Sequence, residues 1–254
     1  MYLIDSHCHL DFPCFDNDRD VILERCQQQG IKQIIVPGVS RQSWEKLLNL
    51  CQHTAMLHPA LGLHPVFLSA HQTDVDIAAL ETAIQQHSPI AVGEIGLDFF
   101  IADHDKAKQL ALFSAQIELA ETYQLPVILH VRKAHDEVLK VLRQHSLSGG
   151  IVHAFNGSMQ QANAYMKLGF VFGIGGALTY SRAHRLHRLF STLPLEHIVL
   201  ETDAPDMPLA NQQETRNTPE NLPQILTTLA TLRSISPSLI AQITSANCQR
   251  LFKF

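Results

Sequence analysis

The sequence predicts a closed parallel (β/α)8 barrel, the TIM-barrel architecture of α/β proteins. Short β-branched apolar segments alternate with longer amphipathic segments eight times along 254 residues. Right-handed crossovers between eight successive parallel strands close a ring, and about 250 residues is a usual length for it. An open doubly wound sheet is the alternative. Against it, no glycine-rich phosphate loop follows the first strand, and polar residues stand at several strand ends.

The predicted elements follow one another along the whole chain. Strands are expected at 2–9, 32–37, 56–63, 90–95, 127–131, 151–155, 170–174 and 198–202. Helices are expected at about 16–29, 40–53, 74–87 and 104–123, in the remaining gaps, and at the closing segment 240–247. Asp16 and Asn17 are expected to cap the first helix, and Gly30 to end it. No repeat or proline-rich linker divides residues 1–254, so we predict a single domain.

Composition narrows the class of protein. Lys and Arg number 19 against 24 Asp and Glu, and the net charge of −5 argues against coating nucleic acid by bulk attraction. Five scattered cysteines without a Cys-x-x-Cys pair favour free thiols in a reducing compartment. Neither a signal peptide nor a membrane-spanning apolar segment is evident. We therefore expect a soluble cytoplasmic protein with no membrane association and no obligate protein partner.

Candidate metal ligands stand at the ends of the predicted strands. His7 and His9 share one face of the first strand, because alternate side chains of an extended strand point the same way. Glu94 ends an apolar strand, where a carboxylate costs free energy unless it is paired or coordinated. A salt bridge is the alternative for that carboxylate. The full set is His7, His9, Glu94, His130, His153 and Asp203.

This donor set indicates two divalent ions per subunit. Imidazole and carboxylate donors suit zinc, manganese, iron or nickel, and make a site for magnesium alone less favoured. Six ligands are more than one tetrahedral ion needs. Two ions about 3.5–4 Å apart, bridged by one carboxylate, would use all six. Zinc, manganese and magnesium are the candidates that we carry forward.

Motifs along the whole chain resemble the TatD-related metal-dependent hydrolases, a family of the wider amidohydrolase-like barrels. The matching segments are Asp5 to Leu10, Gly62 to Pro65, Gly93 to Asp98, His130 to Arg132, His153 to Ser158, Glu201 to Pro205, Arg216 to Pro219 and Asn247 to Phe252. The resemblance implies a (β/α)8 hydrolase with divalent metals, and many members cleave DNA. It also implies one ion on His7, His9 and Asp203, a second on His130 and His153, and Glu94 as the bridge.

Four positions depart from the usual pattern of this family. Val66 stands where relatives often carry a histidine, and Asn156 replaces a more usual serine. Asp206 and Met207 stand where a Tyr-Leu pair is frequent. These changes leave the ligand set intact and bear on substrate preference.

The expected chemistry is hydrolysis by an activated water. Two cations neutralise a phosphodiester, orient it and lower the pKa of a bound water toward about 7. Asp203 is predicted to accept the proton of that water, because one of its oxygens is expected to be free. Asp5 is expected to orient an imidazole ring. His64, Arg132 and Arg216 are expected to contact phosphate, with a surface ion pair as the alternative for each arginine.

The predicted function is a two-metal phosphodiesterase or deoxyribonuclease, with 3'-5' exonuclease action as one form and DNA or another phosphodiester as partner. The alternative is hydrolysis of a small amide, ester, lactone or phosphorylated metabolite at the same centre. A metal-dependent interaction protein is a third class. The absence of a large aromatic-basic stripe argues against long-duplex binding and against base-specific contacts. Asp98 and Glu201 are expected to be loop caps or carboxylates behind the ligands.

Overall fold

The computed structural model describes residues 1–102 and 105–253, and its eight parallel strands follow the sheet order β1 to β8 of a (β/α)8 barrel. The strands are β1 (Leu3–Asp5), β2 (Ile31–Pro37), β3 (Leu57–Leu61), β4 (Ala91–Asp98), β5 (Val127–Arg132), β6 (Gly150–Val152), β7 (Phe170–Ile174) and β8 (Ile198–Leu200). The helices are α1 (Arg19–Gln28), α2 (Arg41–His53), α3 (Thr73–His87), α4 (Lys106–Thr122), α5 (His135–Leu142), α6 (Met159–Met166), α7 (His184–Thr192), α8 (Leu222–Arg233) and α9 (Pro237–Phe252). The predicted fold class is confirmed.

The chain divides into two compact units. The first unit comprises Met1–Val36, Ala154–Met159 and Val171–Phe254, and the second comprises Pro37–His153 and Gln160–Phe170. The first therefore holds β1, most of β2, β7 and β8, and the second holds β3 to β6. The expectation of a single domain stays a prediction.

Within the first unit, backbone hydrogen bonds join the last strand to the first. The Ser6 N–H donates to the carbonyl oxygen of Leu200 at 2.9 Å. Two further bonds continue this pairing past the strand ends: the Asp203 N–H donates to the His7 oxygen at 2.8 Å, and the His9 N–H donates to the Ala204 oxygen at 2.8 Å. The segments that carry His7, His9 and Asp203 are therefore held side by side by the main chain.

Burial follows from the parallel architecture. Parallel strands are covered by helices on one face and by other strand side chains on the other, so both faces are apolar. β4 and β7 are buried at every residue. In the second unit, α4 covers its part of the sheet with buried Leu112, Phe113 and Ile117. Glu94 and Asp98 are buried in β4 among the apolar residues. A buried carboxylate costs free energy unless it is paired or hydrogen-bonded, so both need polar partners.

Several predicted boundaries near the candidate ligands are wrong. β1 ends at Asp5, so His7 and His9 follow the strand instead of belonging to it. β4 continues to Asp98, and Glu94 consequently lies inside the strand. β6 and β8 end before His153 and Asp203, because regular pairing stops where the chain turns toward the ligands.

The helix boundaries agree more closely with the sequence patterns. α1 begins at Arg19, so the predicted caps Asp16 and Asn17 lie before it, and the carboxylate of Asp16 pairs with Arg19 at 2.5 Å. Gly30 follows α1 with a φ of +88°, a conformation that glycine adopts readily. The predicted start of the long helix at His104 lies outside the described residues. Among the described residues, no helix combines the length and apolar character that a membrane span requires.

Candidate metal centre

The first unit contributes two imidazoles and a carboxylate that face one another. The Nε2 atoms of His7 and His9 are 3.2 Å apart. The Oδ1 atom of Asp203 lies 3.5 Å from the His7 Nε2 and 3.8 Å from the His9 Nε2. The His7 ring is fully buried, and the His9 ring stacks on Phe12 with 4.7 Å between the centroids. These three side chains form the first-unit cluster.

The spacing of this cluster fits a divalent cation. Zinc binds imidazole nitrogen and carboxylate oxygen at about 2.0–2.2 Å, so neighbouring ligand atoms stand roughly 3–3.6 Å apart. The separations of 3.2, 3.5 and 3.8 Å are close to that range. Two unprotonated imidazole nitrogens at such a distance can both direct their lone pairs at one cation. Without a cation, one of the two nitrogens must carry a proton and donate a hydrogen bond to the other. The donor set therefore fits a metal.

Asp5 supports this cluster through the main chain. Its Oδ1 accepts from the backbone N–H of His7 at 3.2 Å and of Thr202 at 3.0 Å, and its Oδ2 accepts from the Thr202 hydroxyl at 2.6 Å. Burial raises the pKa of Asp5 to about 8 against the opposing effect of the bonds from Thr202 and His7. We predicted that Asp5 would orient an imidazole ring, whereas these bonds go to backbone N–H groups and to a hydroxyl group. Asp5 instead fastens the backbone that carries His7 to the backbone that precedes Asp203.

Asn217 organises the loop that follows β8. Its buried Nδ2 donates to the carbonyl oxygens of Thr202 and Asp206, both at 2.8 Å, and its Oδ1 accepts from the Thr218 N–H at 2.9 Å. Asp203 lies between the first two acceptors in the sequence and has a positive φ of 57°. The amide of Asn217 therefore holds the turn that presents Asp203.

In the second unit, three imidazoles converge on one carboxylate oxygen. The Oε1 atom of Glu94 lies 3.2 Å from the His130 Nδ1, 3.2 Å from the His64 Nε2 and 3.5 Å from the His153 Nε2. The Glu94 side chain is nearly inaccessible to solvent. His64, Glu94 and His130 also form a group whose ligand atoms all lie within 4.8 Å of one another. We call Glu94, His130, His153 and His64 the second-unit cluster.

Asp98 sets the proton position on His130. Its Oδ2 lies 3.0 Å from the His130 Nε2, and its Oδ1 accepts from the Phe100 N–H at 2.9 Å. Burial alone would raise the pKa of Asp98, but the bonds from His130 and Phe100 hold it below its usual value. An ionised Asp98 accepts, so the His130 Nε2 donates and the lone pair of a neutral ring faces Glu94. Asp98 therefore both caps the loop and orients His130.

His64 presents the opposite kind of nitrogen. The Val66 N–H donates to its Nδ1 at 3.1 Å, so in the neutral ring the proton lies on Nε2. That Nε2 faces Glu94 and is a hydrogen-bond donor, whereas a metal ligand needs an unprotonated nitrogen. The hydrogen bonds thus give the two rings different properties, although each has a nitrogen 3.2 Å from the Glu94 Oε1. His64 presents a protonated nitrogen to the carboxylate, and His130 presents an unprotonated one.

A glycine allows β4 and β5 to approach at this point. Gly96 has a φ of +144°, and a Cβ there would collide with the carbonyl oxygen of His130. Gly96 pairs with His130 in the strand register, two residues after Glu94. The glycine that follows Glu94 by two residues therefore lets the main chain of β4 lie close to the main chain of His130 on β5.

Comparisons with known proteins identify the family of this chain. The family model described as "TatD related DNase" matches residues 4–253. The chain belongs to this TatD-related family. It is 42% identical over 252 residues to "Uncharacterized metal-dependent hydrolase YjjV" of Escherichia coli K12, a match that covers 98% of this chain and 97% of that protein. It is 32% identical to "3'-5' ssDNA/RNA exonuclease TatD" of a Rahnella strain, over 94% of this chain and 93% of that protein.

The solved structures of TatD-related proteins share the fold. The crystal structure of the Escherichia coli YjjV homologue superposes with a TM-score of 0.95 at 41% identity, over 99% of this chain and 98% of that one. The predicted family is therefore confirmed. The roles of the individual residues in this TatD-related chain stay predictions.

The two predicted phosphate-binding arginines of this TatD-related protein have different surroundings. Arg132 is exposed, and its guanidinium lies 3.8 Å from the centroid of the Phe100 ring. Arg216 forms a two-point ion pair with Asp18, at 2.5 and 3.2 Å, and lies over the Phe15 ring. The hydrogen bonds from Arg216 hold the pKa of Asp18 below its usual value. The structure thus places Arg216 in the ion pair that sequence reasoning named as its alternative.

Sequence reasoning gave no single role to Asp98 and none to Phe100 in the TatD-related site. It left Asp98 as either a loop cap or a carboxylate behind a ligand; in the structure its carboxylate accepts from the Phe100 N–H and also bonds the ring of His130, a predicted ligand. It gave no role to Phe100, whose ring is 52% exposed beside Arg132. Phe99 and Phe100 directly follow the strand end Gly96-Leu97-Asp98, and this position could have indicated an aromatic ring close to the predicted ligands.

Proposed function

We propose that this chain is a divalent-metal-dependent phosphodiesterase of the deoxyribonuclease type. Membership of the TatD-related family supports the broader class, a metal-dependent hydrolase. The observation that carries the proposal is the convergence of three imidazoles on the Oε1 atom of Glu94. A buried carboxylate oxygen surrounded by imidazole nitrogens is a donor set that suits a divalent cation.

The proposed centre uses both clusters. In (β/α)8 barrels, residues that follow the strands gather at one end, and this supports a shared centre. His7, His9 and Asp203 would hold one ion, His130 and His153 would hold the other, and Glu94 would bridge them. When bound, a pair of divalent cations neutralises phosphate charge and makes a water acidic enough to react near neutral pH.

The residues of the chain have distinct tasks in the proposed reaction. The Asp203 carboxylate accepts the proton of the attacking water, and its turn is held by Asn217. The Nε2–H of His64 is oriented to donate to Glu94, or to a phosphate oxygen of a bound substrate. Asp98 keeps the proton of His130 on Nε2, away from the ligand nitrogen. The exposed guanidinium of Arg132 contacts a phosphate of the substrate. A phosphate contact by Arg216 stays a prediction.

The proposed substrate is a nucleic acid strand. A relative at 32% identity is named a 3'-5' ssDNA/RNA exonuclease, which supports this substrate and the exonucleolytic form of cleavage. Since the protein is acidic overall, binding has to come from local cations and bound metal instead of bulk charge. The metal ions and a cytoplasmic location also remain proposals, with zinc, manganese and magnesium as the candidate ions.

An activity panel tests the proposal. Purified protein is analysed for metal content, then assayed with each divalent ion on single-stranded DNA, duplex DNA and bis(p-nitrophenyl) phosphate. We expect metal-stimulated cleavage of DNA that a chelator abolishes and that His130→Ala removes. Turnover of an ester, amide, lactone or phosphorylated metabolite in the absence of any phosphodiester cleavage would replace the nuclease proposal with the alternative hydrolase.

A further inference from the structure

Two buried glutamines of α4 each bind the main chain of a single residue. The Gln109 Oε1 accepts from the Asp98 N–H at 2.9 Å, and the Gln109 Nε2 donates to the Asp98 oxygen at 2.9 Å. In the same way, the Gln116 Oε1 accepts from the Leu63 N–H at 2.7 Å, and the Gln116 Nε2 donates to the Leu63 oxygen at 3.1 Å. Both glutamines are 1% exposed, and all four residues belong to the second unit. We call Gln109 and Gln116 the amide pair.

The amide pair takes the place of a strand neighbour. Positions 109 and 116 are about two helical turns apart, so both amides lie on the same side of α4. β3 ends at Leu61, which pairs with Val92 on β4, so this pairing stops before it reaches Leu63 and Asp98. A buried N–H or C=O without a partner costs free energy, and a primary amide supplies one donor and one acceptor together. One helix thus holds the chain just after β3 and the end of β4.

Gln109 is connected to the second-unit cluster through Asp98. Its two bonds hold the peptide groups on both sides of the Asp98 Cα, so the main chain that carries this carboxylate is fixed. The carboxylate in turn lies 3.0 Å from the His130 Nε2. A shift of the Asp98 main chain would therefore move the group that orients the His130 ring.

Gln116 is connected to His64 instead. The peptide group between Leu63 and His64 is bonded at both ends. Its oxygen accepts from Gln116, and its N–H donates to the Val39 oxygen at 2.9 Å. The carbonyl oxygen of His64 accepts from the His71 Nε2 at 3.0 Å. The main chain of His64 is therefore held on both sides of its Cα, which fixes where this side chain starts.

We propose that the amide pair consists of two positioning residues with different tasks. Gln109 sets the ring of His130, a proposed metal ligand, and Gln116 sets His64, a proposed hydrogen-bond donor to phosphate. This inference rests on the proposed function, because it assigns supports to that same site. Glutamines that served packing alone would affect folding stability alone. The amide pair should in addition affect metal binding through Gln109 and phosphate binding through Gln116.

Metal affinity tests Gln109. Gln109→Met keeps the length of the side chain and removes both bonds to Asp98. The dissociation constant of zinc, measured by competition with a chromogenic chelator, should rise about 10- to 100-fold, as it does when a partner behind a ligand is lost. The matched control is Asn247→Leu, because Asn247 is a buried amide of the first unit that donates to the Leu195 and Ile198 oxygens, both at 2.8 Å. It should lose stability in urea and keep the wild-type zinc constant.

Two further variants test the connection through Asp98. If Gln109→Met does not fold, Gln109→Glu takes its place, because an ionised carboxylate keeps the acceptor for the Asp98 N–H and lacks the donor for the Asp98 oxygen. It should weaken zinc binding in the same direction. In an Asp98→Asn background, either variant should cost little further affinity, since its effect passes through the Asp98 carboxylate. A full additional loss in that background would overturn the connection.

Phosphate binding tests Gln116. Gln116→Met should leave the zinc constant near the wild-type value, because His64 presents a protonated nitrogen and is not a proposed ligand. Binding of inorganic phosphate to the metal-loaded protein is measured by isothermal titration calorimetry. It should weaken about 10- to 100-fold, which is the effect of losing one hydrogen bond to a charged group. Gln116→Glu serves for the same comparison if Gln116→Met does not fold.

The outcomes separate the amide pair from the proposed function. Lower stability of both Met variants with wild-type constants for zinc and phosphate would make the glutamines packing residues and overturn the inference. An equal loss of zinc affinity in Gln109→Met and Gln116→Met would overturn their separate tasks. Because these are binding measurements, they do not depend on turnover. A wild type that cleaves no phosphodiester, with variants that show the expected changes in binding, would overturn the proposed function and leave the positioning roles in place.

Discussion

The carboxylate of Glu201 accepts a hydrogen bond from the backbone N–H of Ala154 at 2.6 Å. Ala154 has a positive φ of 44°, an unfavourable conformation for a residue with a Cβ, and it directly follows His153. Glu201 is fully buried, and a Cβ on Gly173 would collide with its carboxylate. The absence of a side chain at position 173 thus makes room for the carboxylate that holds the turn after His153.

Gly173→Ala should therefore destabilise the protein. Forcing an extra methyl group into a packed interior costs about 1–3 kcal/mol, and here it acts directly on Glu201. Urea unfolding of the variant, compared with wild type, measures the loss. In a Glu201→Ala background the collision is gone, so the further cost of Gly173→Ala should fall close to zero. An equal cost in both backgrounds would show that the collision with Glu201 is not its cause.

Asp203→Asn should abolish most turnover while retaining metal. The amide oxygen can still face the imidazoles of His7 and His9, but the amide cannot accept a proton from water. Loss of a general base lowers kcat by about 100- to 10,000-fold. Steady-state kinetics with elemental analysis of the same sample checks both parts. Near wild-type turnover with metal present would contradict the proposed role of Asp203.

Asp98→Asn should weaken metal binding at the second-unit cluster. The amide NH2 would face the His130 Nε2, which favours the tautomer with its proton on Nδ1, the nitrogen directed at Glu94. Loss of such an orienting partner costs about 10- to 100-fold in metal affinity. Competition with a chromogenic chelator measures this. Asp136→Asn, at an exposed carboxylate that accepts from Gln161, is the control, and an equal loss there would argue against the tautomer explanation.

Metal stoichiometry tests whether the clusters bind separate ions. His9→Ala removes a donor from the first-unit cluster, and His130→Ala removes one from the second-unit cluster. If two ions are bound as proposed, each variant should lose about one of them, and the double variant about both. Elemental analysis after dialysis gives the counts. Loss of all metal from either single variant would indicate one ion in place of two.

Local sequence patterns determined the barrel and the identity of most candidate ligands. Alternation of apolar strands with amphipathic helices is set by side chains a few residues apart, so it is visible in the chain itself. The same reasoning placed imidazoles and carboxylates at or near the ends of strands, which is where the functional residues of a (β/α)8 barrel are found. It misplaced strand ends because regular strand pairing stops at positions that depend on remote segments, as for β1, which ends at Asp5.

The tertiary structure alone decided which atoms face one another. Periodicity gives the side of a strand but neither the distance to a distant residue nor the ring nitrogen that carries a proton. His64 and His130 have the same residue type and the same distance to Glu94, yet His64 faces that carboxylate with its protonated Nε2 and His130 with its unprotonated Nδ1, because Val66 and Asp98 bind the other nitrogen of each ring. Arg216 and its partner Asp18 are 198 positions apart in the sequence. Such partners are fixed by packing of remote segments, so no local pattern could reveal them.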